Sequence, residues 1–335
     1  MNRSSILVLL SLSLAVFSSC EKNSGIKISD DNFLQALIEN GVDLDGDGKI
    51  SRTEAQPVTW LDIRGKYIES LGGIEAFENL DSLIVRENLL KAYDASGNPR
   101  LRYLDCEYNL LKELNISQDT LLEYLYCSVN YLSSIDVTKN KRLKFFGCSS
   151  NALTTIDVAS NSKLQYLSCS ANSLSALDIS KNTMLLALLC EENNLTKLDV
   201  TKAKYLSMLF CGSNKLTSID LSQNNGLKKL YCSDNQLTAL NALYTPILSE
   251  LFCQSNKIAV LTLPVNNSLT LLDCSSNLIR SLDLSSNRNL VTIKIRNMST
   301  LGKVCVWALP FPPAGVTVDS EGSANVNYSA SCLKR

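Results

Sequence analysis

The chain has 335 residues, 32 Lys and Arg against 33 Asp and Glu for a net charge of −1, and no histidine. Near-neutrality without a basic run excludes a nucleic-acid footprint, and the missing histidine removes the commonest general base and metal ligand. Only 14 glycines and 7 prolines exclude a low-complexity chain.

Asn2 and Arg3 precede an apolar run from Ile6 to Phe17, too short to span a membrane and suited to a secretory core segment. It ends Phe17-Ser18-Ser19-Cys20. Small residues before a cysteine resemble a bacterial lipoprotein signal. That resemblance implies removal of residues 1–19, lipidation of Cys20, and a polar tether over 20–28.

Residues 29–57 read as a helical cap. Ser29 or Asp30 can cap a helix whose apolar face is Phe33, Leu34, Leu37 and Ile38. The helix runs into Asp43-Leu44-Asp45-Gly46-Asp47-Gly48-Lys49-Ile50-Ser51-Arg52-Thr53-Glu54, which matches an EF-hand loop. Asp43, Asp45 and Asp47 fall at positions 1, 3 and 5, the Lys49 carbonyl at 7, Ser51 at 9 and Glu54 at 12. These residues predict a weakly bound structural calcium. Pro57 cuts the exit helix to about one turn, so the loop reads as a staple between cap and first coil rather than a sensor.

Residues 58–301 are repetitive. Two looser coils, Val58-x-x-Leu61-x-Ile63 and Leu80-x-x-Leu83-x-Val85, come first. Then Cys106, Cys127, Cys148, Cys169, Cys190, Cys211, Cys232, Cys253 and Cys274 stand 21 residues apart. Three residues after each cysteine is an asparagine, from Asn109 to Asn277, and two before each is Leu or Phe. Alternation on a strand turns the Leu and Cys inward and the residue between them outward. The asparagine falls where the chain must turn, and its amide can serve backbone groups of two coils. A second motif follows in each coil, such as Leu177-Asp178-Ile179-Ser180-Lys181-Asn182; its asparagine is replaced by Ala203 and Thr245, and its aspartate by Asn241.

This L-x-x-L-x-C-x-x-N-x-L pattern resembles the leucine-rich repeat family, and its nesting is similar to the 21-residue repeats of bacterial leucine-rich proteins. The resemblance implies a repeat solenoid of about eleven coils with a parallel β-sheet on one face, extended or strand-like return limbs and low curvature. Residues 302–335, with Pro310, Pro312 and Pro313 and the out-of-register Cys305 and Cys332, read as a C-terminal cap. Those two cysteines are expected to pair, and the nine ladder cysteines to remain free, because parallel side chains suit disulfide torsion poorly.

Chemistry is sparse. No G-x-S-x-G, P-loop or dinucleotide fingerprint occurs. The cysteines lack C-x-x-C pairing and face inward, so they read as core rather than metal ligands. The aspartates Asp136, Asp157, Asp178, Asp199, Asp220 and Asp283 recur once per coil and read as turn formers. The chain therefore reads as a non-enzyme. What remains is the outward face of the sheet, where Tyr103, Tyr124, Phe145 and Tyr166 form one column and Tyr126, Leu189, Phe210, Tyr231 and Phe252 another. Such ladders stabilise a sheet, and large exposed apolar patches also mark binding sites. The chain is expected to be a monomeric lipoprotein of the bacterial outer membrane, touching the membrane only through its anchor. Its partner is an extracellular protein, in an adhesion role, or a glycan captured for uptake.

Overall fold

The computed structural model describes residues 25–331; the apolar leader, Cys20 and Cys332 lie outside the described residues. The chain divides into two compact units, Met1–Asn140 and Lys141–Arg335.

The first unit opens with helix α1 (Asp31–Glu39), capped by Asp30, whose Oδ1 accepts from the Phe33 N–H at 3.0 Å. The other Asp30 oxygen accepts from the amides of Glu69 and Ser70 at 2.7 and 2.9 Å, so the cap residue also fastens the helix to the first coil. Phe33, Ala36 and Leu37 are buried beneath it. Helix α2 (Arg52–Ala55) is one turn long and ends ahead of Pro57. The Ile26 amide donates to the Ile50 carbonyl at 2.7 Å, tying the start of the described chain to the acidic loop. The coils then supply β1 (Trp60–Asp62), β2 (Ser82–Ile84), β3 (Ala92–Asp94), β4 (Tyr103–Asp105), β5 (Glu113–Asn115) and β6 (Tyr124–Tyr126). β1, β2, β4 and β6 pair in parallel, with Trp60, Ser82, Tyr103 and Tyr124 in register. β3 and β5 pair on the return limb.

The second unit repeats the plan. Its long-face strands are β7 (Phe145–Gly147), β8 (Tyr166–Ser168), β9 (Ala187–Leu189), β10 (Met208–Phe210) and β11 (Lys229–Tyr231). Return-limb strands then alternate with them: β12 (Ala239–Asn241), β13 (Glu250–Phe252), β14 (Val260–Thr262), β15 (Leu271–Asp273), β16 (Ser281–Asp283), β17 (Thr292–Lys294), β18 (Lys303–Cys305), β19 (Thr317–Asp319) and β20 (Asn327–Ser329). All pairings are parallel; β12 pairs with β14, and β16, β18 and β20 form a separate ladder. Elsewhere the return limb is extended without ladder bonds.

Leu104 and Leu125 in the first unit, and Phe146, Leu167 and Leu188 in the second, are fully buried, each worth about 1.5–3 kcal/mol of apolar burial. The nine ladder cysteines form no disulfide and are fully buried. Cys305 is disulfide-bonded.

Two departures from the sequence reading have clear causes. Four long-face strands in the first unit and nine in the second exceed the expected eleven coils. The residues assigned to a C-terminal cap also make β18, β19 and β20, which extend both ladders. There the register step lengthens, pairing Thr292 with Thr317, because a proline-containing loop intervenes and erases the 21-residue signature.

The asparagines are the polar hinge of each coil. Asn193 donates through Nδ2 to the carbonyls of Cys169, Cys190 and Glu191 at 3.0, 3.3 and 3.0 Å, and its Oδ1 accepts from the Leu174 N–H at 3.0 Å. Asn109 does the same for Val85, Cys106, Glu107 and Leu90 in the first unit. One residue earlier the backbone enters the left-handed region at Tyr108, Val129, Ser150, Ala171 and Glu192, with φ between 51° and 56°. None is glycine, so the asparagine clamp holds a conformation that costs an ordinary residue about 1–2 kcal/mol. A second ladder serves the return limb: Asn182 Nδ2 donates to the Val158 and Asn161 carbonyls, both at 2.9 Å. The aspartate column makes local turns, as at Asp178, whose Oδ1 accepts from the Ser180 N–H at 2.8 Å.

Candidate functional site

The acidic loop gathers Asp43, Asp45 and Asp47, whose carboxylate oxygens lie within 4.8 Å of one another. Gly46 and Gly48, both at φ 76°, let the backbone fold under them. Asp43 accepts from the amides of Gly46 and Gly48, at 2.8 and 3.0 Å. Glu54, at position 12 of the loop, turns its carboxylate onto the loop's own backbone. It is 7% exposed and accepts from the Leu44 amide through Oε1 and from the Ser51 amide and hydroxyl through Oε2, each at 2.8 Å. The Ser51 hydroxyl accepts from the Glu54 amide in return, completing a capping box on α2. The Ser51 amide bond, ahead of the other contacts, holds the Glu54 carboxyl below its usual range. Three clustered carboxylates fit a hard, oxygen-preferring dication, and Glu54 serves as the clasp that closes the loop.

On the outer face of the first unit Tyr103 packs against Tyr124 and Tyr126, with ring centroids 6.1 and 5.3 Å apart. Tyr124 is 38% exposed and the other two are half-buried. Burial, with the charge of neighbouring Asp105 contributing, pushes the Tyr126 hydroxyl up to about 12. Asp62 takes a bidentate contact from Arg64, and Arg86 bridges Glu87 and Glu107 while its guanidinium lies 4.7 Å from the Tyr108 ring centroid.

The second unit carries two aromatic groups. Phe145 stacks on Tyr166 at 4.3 Å with planes 6° apart. Phe210 stacks on Tyr231 at 4.2 Å, and Phe252 meets Tyr231 edge-on at 4.6 Å. Leu189 continues the second group on β9. The Tyr231 hydroxyl donates to Glu250, which also pairs with Lys229 at 2.8 Å. Every ring predicted to face outward does so, and none is fully covered. The outward columns missed Tyr67, Tyr131 and Tyr205, which are 60–73% exposed; they sit on loops beside the strands, where alternation gives no signal.

Among the described residues no helix is long and apolar enough to cross a membrane. No family model and no curated protein matches the chain. Solved structures do. The functional domain of InlJ from Listeria monocytogenes, described as including a cysteine ladder, shares 30% identity over 83% of this chain and 73% of its own, with a TM-score of 0.64. The internalin InlF from Listeria monocytogenes matches at 17% identity over 91% and 96%, TM-score 0.71. YopM, a leucine-rich effector protein from Yersinia pestis, matches at 24% identity over 79% and 77%, TM-score 0.61. The latter two likenesses are of fold.

Proposed function

The chain belongs to the leucine-rich repeat family, and on that premise we propose that it is a non-catalytic surface protein binding a protein partner through its outer aromatic faces. The observation that carries this reading is the row of half-exposed, in-register rings on each unit's long-face sheet. A coil needs only its inward Leu and Cys to build the core, so large rings on the opposite side are not required for packing. Tyr and Phe give wide contact area with few rotatable bonds, which is why they concentrate in binding hot spots. Alanine at Tyr126 and at Phe210 is expected to weaken partner binding by about 1–2 kcal/mol each. Their melting temperatures should fall less than that of Leu125→Ala, which opens a core cavity. Affinity of the immobilised 29–331 region for extracellular protein, measured beside a polysaccharide panel, is the test. Retention only by polysaccharides transfers the face to glycan capture.

The leader supports attachment of Cys20 to lipid at the bacterial outer membrane, with adhesion as the role. Equal labelling of wild type and Cys20→Ala by a palmitate analogue would overturn the anchor.

Calcium is assigned to Asp43, Asp45 and Asp47. The bound ion would neutralise three like charges on one turn and so hold the cap rigid against the first coil. Millimolar calcium is expected to raise the melting temperature of wild type and not of Asp45→Ala, since a ligand of the folded state stabilises it by mass action. Identical curves in calcium and in chelator remove the assignment.

A further inference from the structure

We propose that Asp105, walled by Tyr103 and Tyr126 on the first unit's outer face, receives a cationic side chain, lysine or arginine, from the bound protein. The proposal rests on reading that face as a partner surface and names the chemistry it selects.

Asp105 lies at the outward end of β4, yet it is only 7% exposed. Tyr126 is its register partner on β6, and Tyr103 precedes it by two residues on the same face. Its Oδ1 accepts from the Glu107 amide at 3.1 Å, and among the described residues it forms no ion pair. The two nearby arginines are committed elsewhere. Arg64 holds Asp62 through Nε at 2.9 Å and Nη2 at 2.6 Å, while Arg86 holds Glu107 at 3.0 Å and Glu87 at 3.1 Å. Asp62, Glu87, Asp105 and Glu107 against Arg64 and Arg86 leave two negative charges unbalanced around the tyrosines. A desolvated carboxylate in that position is costly unless a cation answers it.

The second unit shows what the answer looks like. Asp273 stands at the equivalent place on β15, is also 7% exposed, and accepts from the Ser275 amide at 3.1 Å, as Asp105 does from Glu107. On the next strand its register partner is Lys294, whose Nζ lies 3.7 Å from Oδ2. These two are the buried carboxylates of the outer faces among the described residues. At Asp105 the lysine's place is taken by Tyr126, so the chain supplies ring faces and leaves the positive charge to come from outside. Aromatic faces and a carboxylate together select a cation over a neutral group. Burial, opposed by the Glu107 amide and the charges of Arg86 and Arg64 and reinforced by Asp62, also raises the Asp105 carboxyl's pKa. A docked cation reverses that shift, so binding weakens as the carboxyl is protonated.

The experiment titrates the full chain with a hexa-arginine peptide, acetylated and amidated at its ends, at low salt. Wild type and Glu78→Gln, which makes the same charge change elsewhere in the first unit, should bind alike. Asp105→Asn, and Tyr126→Lys, which recreates the Asp273–Lys294 arrangement internally, should each bind about tenfold more weakly. Both variants should melt no lower than wild type, because each removes or answers a buried charge. Unchanged peptide affinity in Asp105→Asn overturns the proposal. A protein partner lost with Tyr103→Ala and Tyr124→Ala but not with Asp105→Asn also overturns it while leaving the aromatic face in place. A partner indifferent to all these changes removes the face itself.

Discussion

Asn193→Ala is expected to destabilise the second unit by about 3–5 kcal/mol, because the buried Leu174 N–H loses its partner and the carbonyls of Cys169, Cys190 and Glu191 each lose one of theirs. Each orphaned donor or acceptor costs about 1–3 kcal/mol when no water replaces the bond, and Asn193 is 7% exposed. The same clamp holds Glu192 in its left-handed conformation, so losing it also releases the chain into alternatives the turn cannot use. Cys190→Ala, three residues away in the core, removes one sulfur and should cost about 1 kcal/mol. Urea midpoints of the two variants make the comparison. Should they coincide, apolar filling rather than the asparagine clamp sets coil stability.

Asp119→Asn works in the opposite direction. Asp119 occupies a rung of the second ladder where Asn98 and Asn140 stand in neighbouring coils; each of those donates Nδ2 to two carbonyls. By the same register the carbonyls opposite Asp119 are those of Ala95 and Asn98, which a carboxylate cannot serve. Asp119 is fully buried and neither carboxylate oxygen has a hydrogen-bond partner. Burial first, and the charge of Asp94 second, push its carboxyl up to about 7, opposed only in part by its own amide. Buried Tyr93 lies close enough to feel its charge. An acid whose folded value exceeds its unfolded value near 3.8 costs the fold nothing while protonated and destabilises it once ionised. Below about pH 4 both states hold the proton and nothing is lost. Between about pH 4 and 7 stability falls as pH rises, and above 7 the fold carries the full cost, on the order of 4 kcal/mol. Asparagine should therefore stabilise the first unit by about 2–4 kcal/mol at pH 8 and by little at pH 4. Melting temperatures of wild type and variant against pH test this; parallel curves would show that Asp119 does not titrate in the fold.

Much of this architecture is legible in the residue order. The cysteine and asparagine columns locate strand, inward face and turn, because a coil that stacks only on its neighbours must solve the same packing problem at each step. The Asp30 cap and the Pro57 stop are equally local. The left-handed residue is not legible: Tyr108, Val129 and Glu192 share no conformational preference, and the asparagine after them imposes the geometry. Glu54 reads as a metal ligand from spacing, yet its carboxylate lies on backbone amides, since position along a loop does not say which way a side chain turns. Asp105 shares the outward register of Tyr126, but its burial depends on tyrosines that meet only when coils stack. Asp119 hides in a column whose usual asparagine differs from it by one atom, and the difference becomes large only once water is excluded.

The cysteine column also makes the molecule its own recording instrument. Burial holds these thiols far from ionisation, up to about 12 at Cys169, Cys232 and Cys274, so alkylating reagents find almost no thiolate in the folded coils. Labelling must wait for a coil to open. With one thiol per coil, the modification rate at each cysteine times the breathing of its own rung. Read by mass spectrometry, the nine rates form a profile of local opening along each unit. The rungs beside Asp119, Ala203 and Thr245, which lack the return-limb asparagine, are where labelling should run fastest.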